Sequence, residues 1–332
     1  MAKPQPILSH MPRLVKEQIV NSSDFASKQS VRQCSKEFKQ LVDLSKSHLS
    51  VVEFRWFAEN VAWIGIVLKT NADNVKSVVF LKKADGCLKN ETVKDGSYTT
   101  AAVEQLMKIL KNSRVTIATL RIIFHDHYTS EGLPEDKEEI LEALEEQMLT
   151  LNHQIHVERV ELTMTHRQGE YLHVLPYLKP GVLKTIQLHP RQDKTGPESV
   201  WRSTTEKLAE LEQWKQADAL LLGRHFMERP ADQVSHFKAM SYCVRYWKFP
   251  LEDVKKTIEK VLRNDNCDFV QVYRVLFNLD EICQYLKQFE KLPEEDATTY
   301  RIRSGDSECL VREDYSDITI WSPTRCQGKN YD

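Results

Sequence analysis

Apolar residues recur at three- and four-residue spacings along the first 45 positions, which is the period of short amphipathic helices. They are Leu14, Val15, Ile19, Val31, Cys34, Phe38, Leu41 and Val42. Polar residues around Ser22 and Ser35 interrupt the pattern and divide it into about three small helices. Because a unit of this size buries little apolar surface by itself, we expect it to pack on another domain or on a partner.

From Leu49 onward the apolar residues alternate with others instead, which indicates β-strands. The alternating sets are Val52, Phe54 and Trp56, then Ile64, Ile66 and Leu68, and later Val79 and Leu81. We predict neighbouring strands in a meander. A polar stretch with turn residues follows over 82–95, and an amphipathic helix then begins before Val103.

Strand and helix patterns then alternate to near Glu290. The predicted strands are Thr119–Phe124, Val157–Met164, Leu183–Leu188, Ala217–Leu222, Ala239–Tyr246 and Phe269–Phe277. The predicted helices are Pro134–Leu151, Glu170–Leu178, Trp201–Lys215, Pro250–Leu262 and Leu279–Phe289. Three more strands, Thr299–Arg303, Cys309–Arg312 and Ile318–Trp321, precede a polar tail.

Strand starts 22 to 38 residues apart fit either a doubly wound sheet or an irregular, leucine-rich-repeat-like solenoid. We favour the solenoid-like sheet, because no strand-to-helix turn carries the glycine-rich phosphate loop usual in nucleotide-binding doubly wound sheets. The predicted fold class is α/β. Its expected parts are a three-helix unit over 7–46, connecting strands and a helix over 49–128, an α/β domain over 129–290, and strands with a polar tail over 291–332.

Composition and charge narrow the classes of function. The 332 residues are 41% hydrophobic and 28% charged, with a net charge of −2, so no global field attracts nucleic acid or an anionic membrane. The longest apolar run, Val61–Leu68, is eight residues, and no signal-peptide pattern opens the chain. With seven cysteines and no C-x-x-C pair, we expect reduced thiols and a cytoplasmic or nuclear protein.

Catalytic signatures are missing from the sequence. It contains no Walker loop, no G-x-S-x-G elbow, no H-E-x-x-H and no kinase motif. The best candidate for metal ligation is His125-Asp126-His127, directly after a predicted strand, but two histidines rarely complete a metal site alone. We therefore expect no enzyme activity, no metal and no cofactor.

The first helical segment resembles an F-box. Met11-Pro12-Arg13-Leu14-Val15 opens it, and Val31-Arg32-Gln33-Cys34-Ser35-Lys36-Glu37-Phe38 follows after a short break. Met11 stands where the family has leucine. The positions that match the family pattern are Pro12, Val15, Ile19, Val31, Cys34 and Phe38.

A second resemblance covers residues of about 150 to 290. Its core is Glu212-Gln213-Trp214-Lys215-Gln216-Ala217, preceded by Val157–Leu162 and by the block from Leu175 to Gln187. These residues resemble the FTH domain that follows the F-box in an expanded nematode family of F-box proteins, the F-box A type. On this likeness, 7–46 is the F-box and 129–290 the FTH-like domain.

The resemblance implies a non-catalytic substrate receptor of an SCF-type cullin-RING ubiquitin ligase. The F-box would bind a Skp-type adaptor, and through it a cullin, using Met11, Pro12, Val15 and Ile19. An unknown protein substrate, rather than nucleic acid or a membrane, would bind the FTH domain. The alternative is an interaction module outside any ligase that holds a regulatory or RNA-binding partner.

The outer face of the predicted strands is the expected substrate surface, because alternate side chains of a strand point to the same face. We expect this surface to include Arg159, Glu161, Thr185 and Gln187.

Overall fold

The structure is a computed structural model, and it describes sixteen stretches of the chain. They are residues 11–23, 25–58, 62–70, 74–83, 86–89, 92–94, 97–126, 135–164, 170–190, 207–222, 236–243, 251–263, 269–273, 279–293, 298–314 and 317–323. The chain forms two compact units, one of residues 1–158 with 177–179 and one of residues 159–176 with 180–332. None of the helices in the described stretches is long and apolar enough to span a membrane.

Three short helices begin the first unit: α1 (Arg13–Ser22), α2 (Phe25–Arg32) and α3 (Lys36–Leu44). Their shared core is small and consists of Val20, Phe38, Leu41 and Val42, with Val31 packed against it. The Ser35 side chain accepts a hydrogen bond from the Phe38 amide and so caps α3. So few buried side chains make this helical unit depend on what it packs against.

The sheet of the first unit is mixed. Its strands are β1 (Ser47–Ala58), β2 (Ala62–Lys69), β3 (Val75–Lys83), β4 (Gly86–Lys89), β5 (Thr92–Lys94) and β6 (Val115–Asp126). Strands β1 to β5 form an antiparallel meander, and β6 returns to pair in parallel with β1. The helix α4 (Tyr98–Leu110) makes that parallel return possible and packs on β2 and β3.

One face of this sheet is fully buried. Its side chains, each at most 1% exposed, are Val52, Phe54, Trp56, Ile64, Ile66, Phe80, Leu120, Ile122 and Phe124. The helix α4 and the next helix, α5 (Glu135–Leu149), contribute Ala102, Leu106, Ile140 and Leu144 to the core of this unit. Burial of this set is the main favourable contribution to folding of the first unit.

The second unit begins with strands that pair in chain order. They are β7 (His156–Met164, the first residues of which belong to the first unit), β8 (Thr185–Pro190), β9 (Ala219–Leu222), β10 (Ala239–Cys243) and β11 (Phe269–Tyr273). Each described neighbour from β7 to β11 is parallel.

The remaining elements of the second unit are short helices and an antiparallel group of strands. They are α6 (Glu212–Gln216), α7 (Leu251–Arg263), α8 (Leu279–Leu286), β12 (Glu290–Leu292), β13 (Thr298–Ser304), β14 (Ser307–Asp314) and β15 (Asp317–Trp321). Strand β15 pairs antiparallel with β11, and β14, β13 and β12 follow in turn. Gly305, with φ of +59°, makes the tight turn between β13 and β14.

The mixed α/β class predicted from the sequence is confirmed, but several elements differ from the prediction. The helix predicted over Glu170–Leu178 is instead two 3₁₀ turns, Glu170–His173 and Leu175–Tyr177, because Pro176 lacks an amide hydrogen for an α-helical bond. The stretch 82–95, predicted as polar turns, contains the short strands β4 and β5. Residues 201–206 of the helix predicted over Trp201–Lys215, and residues 244–246 and 274–277 of two predicted strands, lie outside the described residues.

A chain of hydrogen bonds runs from the core of the first unit to an exposed lysine. The Trp56 indole donates to the Tyr98 hydroxyl at 3.2 Å, which donates to Asp136 at 2.9 Å, and Lys82 pairs with the same carboxylate at 2.6 Å. Burial raises the pKa of Tyr98 well above its ordinary value, so the hydroxyl keeps the proton that it donates. The Tyr98 hydroxyl therefore joins β1, α4 and α5, and the Asp136 carboxylate adds β3 through Lys82.

Replacing this phenol tests the chain of hydrogen bonds. Tyr98→Phe leaves the Trp56 N–H buried without its acceptor, and we expect the free energy of unfolding to fall by about 1–3 kcal/mol in chemical denaturation. Tyr285→Phe, on a half-buried tyrosine of α8, is the matched control and should change it by less than about 0.5 kcal/mol. Equal losses in both variants would contradict a special role for Tyr98.

Candidate interaction surfaces

The first candidate surface, the α1 surface, is formed by Met11, Pro12, Leu14, Val15 and Ile19. Leu14 is 75% exposed and Val15 39% exposed, whereas Met11 and Ile19 are half-buried and Pro12 is exposed. The other side of the helix turns Lys16 and Val20 inward. An apolar strip on one helix face, open to solvent, is suited to binding an apolar groove.

Two lysines fix the helical unit that presents this surface. The Lys16 ammonium is 2.5 Å from the Glu37 carboxylate and so joins α1 to α3. The buried Lys28 donates to the Lys46 carbonyl oxygen at 2.7 Å, directly before β1 begins, and burial lowers the pKa of Lys28. The α1 surface is therefore held on a helical unit that is anchored to the sheet of its own unit.

The C-terminal end of α1 is polar. The Ser22 hydroxyl donates to the Gln18 carbonyl oxygen at 2.8 Å, and the Ser23 hydroxyl donates to that of Ile19 at 2.6 Å. Serines that bond back to the preceding turn compete with continued helix, and the backbone at Ser23 is extended. The apolar strip of α1 therefore ends at Ile19.

The second candidate surface, the strand surface, lies on β7 and β8. Strand pairing brings Arg159 beside Thr185 and Glu161 beside Gln187, so the four predicted residues occupy one face of the sheet. All four are half-buried. The intervening residues Val160, Leu162, Ile186 and Leu188 are 0% exposed on the opposite face.

Sequence reasoning missed one residue of the strand surface, His189, which is hydrogen-bonded to Gln187. Arg159 Nε is 3.0 Å from Glu161 Oε1, and Arg159 Nη2 donates to Gln187 Oε1. Since Arg159 can only donate, the Gln187 oxygen must face it, and the Gln187 amide group then donates to His189 Nε2. The same strand alternation that selected Gln187 could have selected His189, two residues further along β8.

The hydrogen-bond direction fixes the state of His189. An imidazole whose Nε2 accepts must be neutral and carry its proton on Nδ1. Burial lowers the pKa of His189, the charge of Glu161 raises it, and that of Arg159 lowers it, with a net downward shift. The polar side chains of the strand surface therefore contact one another in sequence, and this arrangement requires an uncharged His189.

Comparison with known protein families bears on the strand surface directly. The family model of the FTH domain matches residues 138–289. This stretch is therefore similar to an FTH domain. No curated protein matches the chain.

The stretch that matches the FTH model contains all four predicted substrate residues, and the residues that suggested the resemblance have structural roles. Trp214, 1% exposed, meets Phe237 edge to face, with ring centroids 5.2 Å apart. Gln213 donates to the Pro176 carbonyl oxygen at 2.9 Å. The Glu-Gln-Trp-Lys-x-Ala sequence therefore holds α6 against its neighbours.

The histidine pair considered for metal ligation lies at the end of β6, and only His125 of the pair is among the described residues. His125 stacks on Phe57, with ring centroids 4.3 Å apart, and His127 lies outside the described residues. In the described part of the chain, no group of three or more histidine, cysteine, aspartate or glutamate side chains could hold a metal.

The contacts of His189 predict that removing its two charged neighbours, one at a time, shifts its pKa in opposite directions. We expect its pKa, measured by NMR titration, to lie below the ordinary value of about 6.5. Arg159→Met should raise it and Glu161→Gln should lower it further, because the nearby charges are removed. The unfolded chain binds this proton more readily than the folded one, so the His189 contribution to stability decreases as the pH falls through about 6.5.

Nitrogen chemical shifts should also show the proton of His189 on Nδ1 at neutral pH. A His189 pKa above the ordinary value, or a proton on Nε2, would contradict the assigned hydrogen-bond chain.

Proposed function

We propose that the chain is a substrate-receptor subunit of an SCF-type cullin-RING ubiquitin ligase. The observation that carries the proposal is the FTH domain at 138–289, which follows an F-box-like sequence on three short helices. The α1 surface binds a Skp-type adaptor, and the strand surface of the FTH domain binds a protein substrate. The chain itself performs no catalysis, requires no cofactor, and works in the cytoplasm or nucleus with its cullin.

The physical support is the imbalance in the helical unit. It has four buried apolar side chains in its own core, yet it leaves Leu14 and Val15 open to water. Covering such residues with an adaptor removes apolar area from water and stabilises the bound state by mass action. The polarity of Ser22 and Ser23 limits the area that the adaptor can cover.

The second candidate function is an interaction module that holds a regulatory or RNA-binding partner outside any ligase. The short apolar strip of α1, which ends at two serines bonded to their own helix, favours this alternative. It keeps the strand surface and dispenses with the adaptor. Adaptor binding therefore distinguishes the two functions.

Adaptor affinity can be measured with the purified full-length protein by calorimetry. Leu14→Ala with Val15→Ala should weaken binding to a Skp-type adaptor by about tenfold or more, since loss of roughly 1.4 kcal/mol gives tenfold. Leu149→Ala, on a leucine that is 69% exposed on α5, is the matched control and should bind like the wild type. A folded wild-type protein that binds no Skp-type adaptor would overturn the ligase function.

Substrate capture can be tested at the strand surface by exchanging its ion pair. Arg159→Glu with Glu161→Arg keeps the net charge and changes the pattern that a partner meets. We expect proteins enriched by proximity labelling with the wild type to be lost from this variant, while adaptor binding is kept. An unchanged set of partners would place the substrate surface elsewhere.

A further inference from the structure

The outer face of the sheet in the first unit carries side chains that the proposed function does not use. Residues Phe57 on β1, Trp63 on β2 and His125 on β6 lie in one row, since Phe57 pairs with Trp63 on one side and with His125 on the other. All three rings are half-buried. We call this row the aromatic row; it lies outside the FTH match.

The rings of the aromatic row are stacked on one another. The Phe57 and Trp63 centroids are 4.4 Å apart with planes 12° from parallel, and Phe57 and His125 are 4.3 Å apart at 23°. Rings that stack across neighbouring strands stand on edge, so their edges point away from the sheet. Aromatic edges are apolar and carry a partial positive charge, so the row suits a partner that combines apolar and acidic side chains.

Gly65 leaves room for the Trp63 indole in the aromatic row. A β-carbon at Gly65 would lie 2.8 Å from the Trp63 ring, closer than real contacts allow. Any larger residue would push the indole aside. The geometry of the row therefore depends on a residue that offers no side chain of its own.

One carboxylate and two guanidinium groups lie beside the row. Glu53 is 7% exposed at its side chain and lies 2.5 Å from Arg55 and 3.7 Å from Arg121, whose side chains are 38% and 35% exposed. The carboxylate is inside and the two guanidinium groups are more exposed, so these three groups together present positive charge to solvent. Arg55 also lies 5.9 Å from the Phe57 ring centre.

These observations select one class of partner. We propose that the outer face around the aromatic row binds an acidic peptide segment of a partner protein, with carboxylates at Arg55 and Arg121 and apolar side chains against the ring edges. A single-stranded nucleic acid would need open ring faces for its bases, and both faces of Phe57 are already covered. The site is a third candidate docking surface, made of residues that the α1 and strand surfaces do not include.

The probe is a random peptide library displayed on phage, selected on the full-length protein, followed by anisotropy titration of a selected peptide. We expect enrichment of peptides that combine glutamate or aspartate with aromatic or aliphatic residues, and binding that weakens as salt is added. Arg121→Gln should weaken binding about tenfold, the equivalent of about 1.4 kcal/mol. Arg303→Gln, on an exposed arginine of β13, is the matched control and should leave the affinity unchanged.

A second variant disturbs the stacking of the aromatic row and keeps the charges of Arg55 and Arg121. Gly65→Ala should displace the indole and weaken the same peptide, with the circular dichroism spectrum of the folded protein retained. Selected peptides without an acidic excess, or equal binding to Arg121→Gln and wild type, would overturn the proposal. Tighter binding of oligouridine than of any selected peptide would overturn it in favour of nucleic acid. The α1 and strand surface variants leave these residues intact, so this site and the proposed function fail independently.

Discussion

The alternation of buried and outward side chains along the strands is the constraint on which the described structure depends. In β7 and β8, Val160, Leu162, Ile186 and Leu188 are fully buried, and every residue between them must therefore face outward. A slip of one residue would exchange the two faces. Burial of these aliphatic side chains is consequently what places Arg159 and Gln187 within bonding distance of each other.

The helical unit at the start of the chain follows a different rule, because its core is small. Its helices are joined by directed polar contacts, Lys16 with Glu37 and Lys28 with the Lys46 carbonyl oxygen, in addition to apolar packing. Buried ammonium groups are costly to desolvate unless they are paired, and they make strict geometric demands on their partners. Such contacts give the α1 surface a defined orientation and leave its apolar residues available for a partner.

The sequence predicted the features that depend on the local period of apolar residues. It missed the features that depend on which distant strands pair. Strand alternation located β7 and β8 to within a few residues and put Arg159, Glu161, Thr185 and Gln187 on one face, since that property repeats every two residues. The FTH domain was also predicted, from Trp214 and its neighbours, and the family match at 138–289 confirms it. The aromatic row escaped prediction because Phe57 and His125 become neighbours only when β6 returns beside β1.

The proposal that the chain joins a cullin ligase through its first helices can be tested directly. The most direct measurement is mass photometry of the purified full-length chain mixed with a Skp-type adaptor and a cullin. The account predicts a single ternary complex that contains all the components and that disappears when the adaptor is omitted. A binary adaptor–cullin complex, with the folded chain remaining free at micromolar concentration, would contradict it.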